Sequence, residues 1–224
     1  MQSTKQQKSA GFSLIELTIA TVVVLLMLAI VSTLLSRSLS VRARESRKTD
    51  ALTSAQAALN IMSREIANAG FGIYDGNGSQ TAVNGIIIDD SGASQIHFRA
   101  NLTNFGDGPV NPTCPVICTN EPGEDVTYFF DDETDSIVRY DPNGNPQTSV
   151  VVNRISNVTF GYYDYGDDGS VTADPGNAAP TINTGRIRLT VDVTLDPVVG
   201  QPEESVRFTS EINLRNSSFM LRQY

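Results

Sequence analysis

The sequence predicts an α+β fold: one long N-terminal α-helix, half transmembrane and half amphipathic, packed on an antiparallel β-sheet domain. Three observations predict it. No Gly or Pro interrupts the chain between Phe12 and Ala69, where good helix formers abound. Beyond Gly72 short apolar runs with a period of two alternate with turn residues. Charge is also divided: residues 1–70 hold eight Lys/Arg against four acids, and the remaining 154 hold eight Arg against 21 acids, for a total of −9.

The helix comes first. Residues 17–36 are 20 consecutive residues without a charge, and at a rise of about 1.5 Å each they span roughly 30 Å, the thickness of a bilayer's hydrocarbon core. Taken alone, this run fits a transmembrane anchor, an uncleaved signal anchor or the apolar region of a secretory signal peptide. The last fits poorly, because such a region should be about 7–15 residues long and end at a small-residue cleavage site. Glu16 stands just inside the apolar run, where an ionisable group costs about 2.5–3.5 kcal/mol and marks function. A short leader, residues 1–11, carries Lys5 and Lys8 and no acid.

Gly11-Phe12-Ser13-Leu14-Ile15-Glu16-Leu17 resembles the processing site of type IV prepilins and type II secretion pseudopilins. The resemblance implies that a prepilin peptidase cuts between Gly11 and Phe12 and methylates the new Phe12 amine. It also implies that Glu16 pairs with the terminal amine of a neighbouring subunit during assembly, which would offset two desolvation costs in lipid. The family pattern then divides the chain into four: 1–11 a cleaved basic leader, 12–36 a transmembrane and assembly helix, 37–70 an amphipathic helix, and 71–224 an acidic β-rich periplasmic or extracellular domain.

One feature conflicts with that topology. Arg37, Arg42, Arg44, Arg47 and Lys48 follow the apolar run and outnumber the leader lysines, so the positive-inside rule would place them in the cytoplasm.

Farther along, Leu52, Ala55, Leu59, Met62, Ile66 and Ala69 recur every three or four residues. They form one apolar stripe, suited to packing on a sheet. A coiled coil would use the same stripe, although the heptad pattern covers fewer than three repeats. Gly70 and Gly72 are stop signals.

Strands are predicted at Ile86–Ile88, Gln95–Arg99, Val126–Phe130, Ser136–Tyr140, Val150–Val152 and Ile155–Tyr163. Ile187, Leu189, Val191, Val193 and Leu195, and later Val206, Phe208, Ile212 and Leu214, alternate with polar residues, so both runs read as strands with one wet face.

The helix exit, Ser63-Arg64-Glu65-Ile66 followed by Asn68-Ala69-Gly70-Phe71-Gly72-Ile73, is similar to that of PilW-type minor pilins. J-type pseudopilins share the long helix and a hairpin like Val126–Tyr140. The implied partners are the prepilin peptidase, other minor and major pilins, the inner-membrane assembly platform and inner-membrane lipid. The implied location is the bacterial inner membrane, as a single-pass protein, and then the pilus. The J-type pseudopilin is the alternative, and an adhesin or DNA-uptake pilin is an alternative of another class. Against DNA stands the acidic balance beyond residue 70, since phosphate contact needs a basic face.

Candidate chemistry is sparse. Cys114 and Cys118 sit close enough for a small disulfide loop or for two free thiols. Zinc would need about four ligands, and His97 is the lone histidine. Two loops hold oxygens suited to calcium, Asp131-Asp132-Glu133-Thr134-Asp135 and Asp164-Tyr165-Gly166-Asp167-Asp168-Gly169. Neither has EF-hand spacing, so solvated turns compete with that assignment. No cofactor and no catalytic residue is expected.

Overall fold

A computed structural model describes residues 13–73, 84–103, 119–166, 168, 170–195 and 205–221. The chain divides into two units, Met1–Arg47 and Lys48–Tyr224.

Helix α1, Leu14–Ala67, is a single α-helix of 54 residues. In the first unit its start is set by Ser13, whose carbonyl accepts from Glu16 N at 3.0 Å and Leu17 N at 3.2 Å. Every large apolar side chain from Leu14 to Val41 is exposed, and this is the helix long and apolar enough to cross a membrane. Its hydroxyls turn inward. Thr18 donates to the Ile15 carbonyl at 2.8 Å, Thr21 to Thr18 at 2.9 Å and Thr33 to Ile30 at 2.8 Å. Each donor is thereby satisfied within the helix, as lipid would demand.

In the second unit the predicted stripe is buried. Ala55, Leu59, Met62, Ile66 and Ala69 have at most 2% of their surface exposed, with Ala58 beside them, and Leu52 is half-buried at the margin. The helix stops at Ala67, two residues earlier than the stripe suggests. Asn68 N and Ala69 N close tight i→i−3 bonds to Glu65 and Ile66, and Gly70 then adopts φ 79°, a left-handed exit that favours glycine.

Among the described residues seven strands follow, all paired antiparallel. Gln95–Arg99 (β1), Asp125–Asp131 (β2), Ser136–Tyr140 (β3) and Thr148–Asn153 (β4) make one sheet in that order. Ile155–Asp164 (β5), Thr184–Thr194 (β6) and Ser205–Asn213 (β7) make a second. The expected antiparallel β-domain thus consists of two sheets. The break lies at Arg154, the one residue between β4 and β5, whose left-handed φ of 63° turns the strand out of the first ladder and into the second.

The strand expected at Ile86–Ile88 is also reduced. Ile86 bridges Phe98, Ile87 N donates to the His97 carbonyl at 2.9 Å, and Ile88–Asp90 then coils into a 3-10 turn. The Asp-Asp-Ser-Gly sequence that follows Ile88 favours turning over pairing. Four residues, Ser218–Leu221 (α2), close the described chain.

One hydrophobic core joins the α1 stripe to both sheets. Ile96, Phe98, Val126, Ile137 and Val152 face it from the first, and Phe160, Ile187, Leu189, Val191 and Ile212 from the second. In β6 the alternation read from the sequence matches the burial, with apolar residues buried and Arg186, Arg188, Thr190 and Asp192 half-buried. Ser210 is the polar exception on the inward row of β7, and its hydroxyl meets that of Ser63 on α1 at 2.9 Å.

Full burial of Met62 or Ile66 contributes about 1.5–3 kcal/mol each. Ile66→Ala is expected to destabilise the second unit by about 2–5 kcal/mol, whereas Ile61→Ala, on the exposed side of the same turn, should stay within roughly 0.5 kcal/mol. Urea unfolding in detergent micelles measures both. Equal midpoints for the two variants would remove the stripe from its role.

Candidate functional site

Four regions hold the candidate side chains singled out by the sequence. Glu16 occupies the first turn of α1 and is exposed, between the exposed Ile15 and Leu17. It is the only acid on the helix before Glu45. Gly11 and Phe12 lie outside the described residues, as do Cys114, Cys118 and Asp167.

The Asp131 loop is the turn of the β2–β3 hairpin. Asp131 Oδ1 accepts from Glu133 N at 3.1 Å and Oδ2 from the Thr134 hydroxyl at 2.6 Å. The hydroxyl, followed by the amide, holds the Asp131 carboxyl below its usual range. Asp132 and Asp135 are exposed.

In the second loop Asp164 is drawn into the fold, accepting from the Thr184 hydroxyl at 2.7 Å and Asn177 Nδ2 at 3.2 Å. Asp168 accepts from Ser170 N at 2.9 Å. Among the described residues no group of three or more His, Cys, Asp or Glu converges as a metal site.

His97 is held between two carboxylates. Nδ1 lies 3.1 Å from Asp90 Oδ2 and Nε2 lies 2.5 Å from Asp125 Oδ1, while Arg99 Nε donates to Asp125 Oδ2 at 2.9 Å. The sequence placed His97 on a strand, partly buried or at the surface, and its side chain is 13% exposed. The register that sets His97 opposite Thr127 and Arg99 opposite Asp125 builds this chain of charges. The imidazole is thus engaged on both nitrogens by acids, an arrangement that fastens β1 to β2 and to the 3-10 turn.

The helix exit carries a constellation that the sequence reading missed. Glu65 Oε2 accepts from the Tyr128 hydroxyl at 2.8 Å and from Arg139 Nε at 3.0 Å, and Arg139 Nη1 reaches Asp141 Oδ2 at 3.2 Å. Asp141 also accepts from Gly123 N at 2.7 Å. Pairing of β2 with β3 sets Tyr128 directly opposite Arg139, which aims both at the helix. The signal available was Glu65 itself, an acid beside the apolar stripe; its partners lie 63 and 74 residues away and are invisible to local pattern.

Beside this network a cleft of about 240 Å³ opens between Ile61, Arg64 and Glu65 on α1, Asn68 just beyond it, and Phe98 and Leu102. That is below the roughly 300–1,000 Å³ of small-molecule sites and suits a single side chain. Glu124, fully buried, holds Leu102 in place at that cleft. Its Oε1 accepts from Leu102 N at 2.7 Å and from Thr103 N and Oγ1 at 2.8 Å.

The exit itself is sealed by backbone. Gly70 N donates to Arg99 O at 2.9 Å, Asn101 N to Phe71 O at 2.7 Å and Arg215 N to Ala67 O at 3.2 Å. Asn216 Nδ2 caps Ala69 O at 3.0 Å. Gly85, at φ 73°, lies so near that a Cβ would overlap the Gly70 backbone.

Burial pushes the phenols of Tyr128 and Tyr162 well above the ordinary value, with Glu65 adding to the effect at Tyr128. Tyr163 is pushed up to about 12, first by burial and then by its bond to the Asp174 carboxylate. The folded chain therefore holds these protons more tightly than the unfolded one. Their contribution is complete below about pH 10, and it is lost as pH rises toward about 12. Stability should fall steeply over that window, followed by urea midpoints and phenolate absorbance. Tyr128→Phe should cost about 1–3 kcal/mol, because Glu65 loses a donor.

No family model, no curated protein and no solved structure matches the chain.

Proposed function

We propose that this chain is a structural subunit of a type IV pilin-like filament, most like a PilW-type minor pilin. In this reading it is made as a precursor, cut between Gly11 and Phe12 by a prepilin peptidase and methylated on Phe12. It is then stored in the bacterial inner membrane by the apolar half of α1, with the acidic domain in the periplasm.

Assembly follows by lateral packing of those apolar helices with other minor and major pilins on the inner-membrane platform. Glu16 meets the methylated amine of a neighbouring subunit. Pairing of two otherwise stranded charges fixes the axial register, because any other register leaves both desolvated and uncompensated.

One observation carries this reading. A continuous helix begins at Leu14 with a single carboxylate in its first turn, and the large apolar residues that follow, through Val41, are all exposed. Among the described residues of the first unit nothing covers that surface, so it calls for lipid or for like helices. The buried stripe of the same helix supports the division of labour, one half for assembly and the other for carrying a folded domain.

The β2–β3 hairpin, Asp125–Tyr140, supports a second reading as a J-type pseudopilin. A deletion strain separates the two: loss of pili follows from the first, and loss of protein secretion with pili intact follows from the second.

Gly11→Val is expected to leave an uncut precursor, seen as an intact mass larger than that of the mature form by the leader. A variant of mature mass would sink the processing assignment. Glu16→Ala should be inserted and cut normally yet be depleted at least tenfold from sheared filaments. Wild-type amounts of it there would remove the proposed charge pairing.

A further inference from the structure

We propose that Arg37 and Arg42 bind the phosphates of anionic phospholipid headgroups where α1 leaves the bilayer. This rests on the membrane reading given above and names the lipid class that the reading leaves open.

Arg37 is the first charged residue after Glu16, and a helical rise of about 1.5 Å per residue separates the two by roughly 32 Å. That matches the hydrocarbon thickness of about 30 Å. With Glu16 at one face of the bilayer, the Arg37 guanidinium emerges among the headgroups of the other.

The angular spread favours lipid over a protein partner. At about 100° per residue, Arg37 and Arg42 point roughly 140° apart. A docking protein meets one face of a helix, whereas a headgroup layer surrounds it. Arg37 and Arg42 are exposed, and the exposed Leu39 (56%) and Val41 (60%) are interleaved with them. Apolar side chains at the acyl boundary with arginines reaching outward are what an interface requires. Glu45 is the one acid in the stretch.

Guanidinium groups match phosphate oxygens two at a time. Headgroups of the far leaflet would engage Arg37 and Arg42 on the side to which the processing motif assigns them. The apparent violation of the positive-inside rule then has a physical cause.

The test uses the full chain reconstituted in vesicles of phosphatidylcholine carrying a minor share of phosphatidylglycerol. The protein is extracted with its lipid shell in polymer nanodiscs, and the co-purified lipids are counted by mass spectrometry. The wild type should be enriched in phosphatidylglycerol relative to the vesicle. Enrichment should fall in Arg37→Gln and be lost in Arg37→Gln/Arg42→Gln, and it should fall with added salt.

Far-UV circular dichroism checks that the helix persists. Equal phosphatidylglycerol content in the wild type and the double variant overturns the proposal. So does loss of crosslinking to a second copy with lipid content unchanged, which would assign the arginines to a protein face. Release of the wild-type chain by alkaline carbonate overturns the membrane reading itself, a failure distinct from the other two.

Discussion

One helix face, small at Ala55 and Ala58 and large at Leu59, Met62 and Ile66, is covered by two sheets at once. Small and large residues of that face share one buried core with side chains of both sheets. The second unit's other features accommodate that contact. Arg154 lets the chain leave one sheet for the other, and the Ser63–Ser210 hydroxyl pair satisfies the one polar position that the inward row of β7 brings to the helix. Both sheets need the same cover, and neither has enough apolar surface of its own to close a core without it.

Where α1 ends, the constraint becomes one of backbone. Its last carbonyls and the first amides beyond it are taken up by Arg99, Asn101, Arg215 and Asn216, which come from the two ends of the β-domain. Gly70 and Gly85 allow two backbones to pass at a separation no side chain would permit. The Glu65–Tyr128–Arg139–Asp141 network locks the same corner with charge-assisted bonds. A half-satisfied version of it would cost more than an apolar replacement, so it defines the angle and register of the helix on the first sheet.

The acidity of the domain takes on a different meaning in this light. Glu124 and Asp141 are buried and consumed by backbone amides, while Asp131 and Asp168 brace turns. Part of the negative count is internal scaffolding and not surface field. His97, the lone imidazole, is likewise a brace between acids. On the reading proposed here, the working surface is the bare apolar half of α1, and the β-domain is the folded body that it carries.

Much of this was legible from residue order alone because it depends on short-range periodicity. The uncharged run 17–36 is read from its length and lack of charge, and the 3.6-residue stripe from Ala55 to Ala69 and the two-residue alternation of β6 and β7 repeat within a window of about a dozen residues, with burial following the repeat. What only the tertiary structure decided is where those elements meet. The split into two sheets turns on a single left-handed residue, Arg154. The stop at Ala67, the shortening of the Ile86 strand and the grouping of Glu65 with Tyr128 and Arg139 depend on partners tens of residues away. Periodicity says which face of an element is apolar, but it carries no information about which distant polar group will arrive opposite, because that is set by strand register and by the one packing that buries both sheets on the same helix.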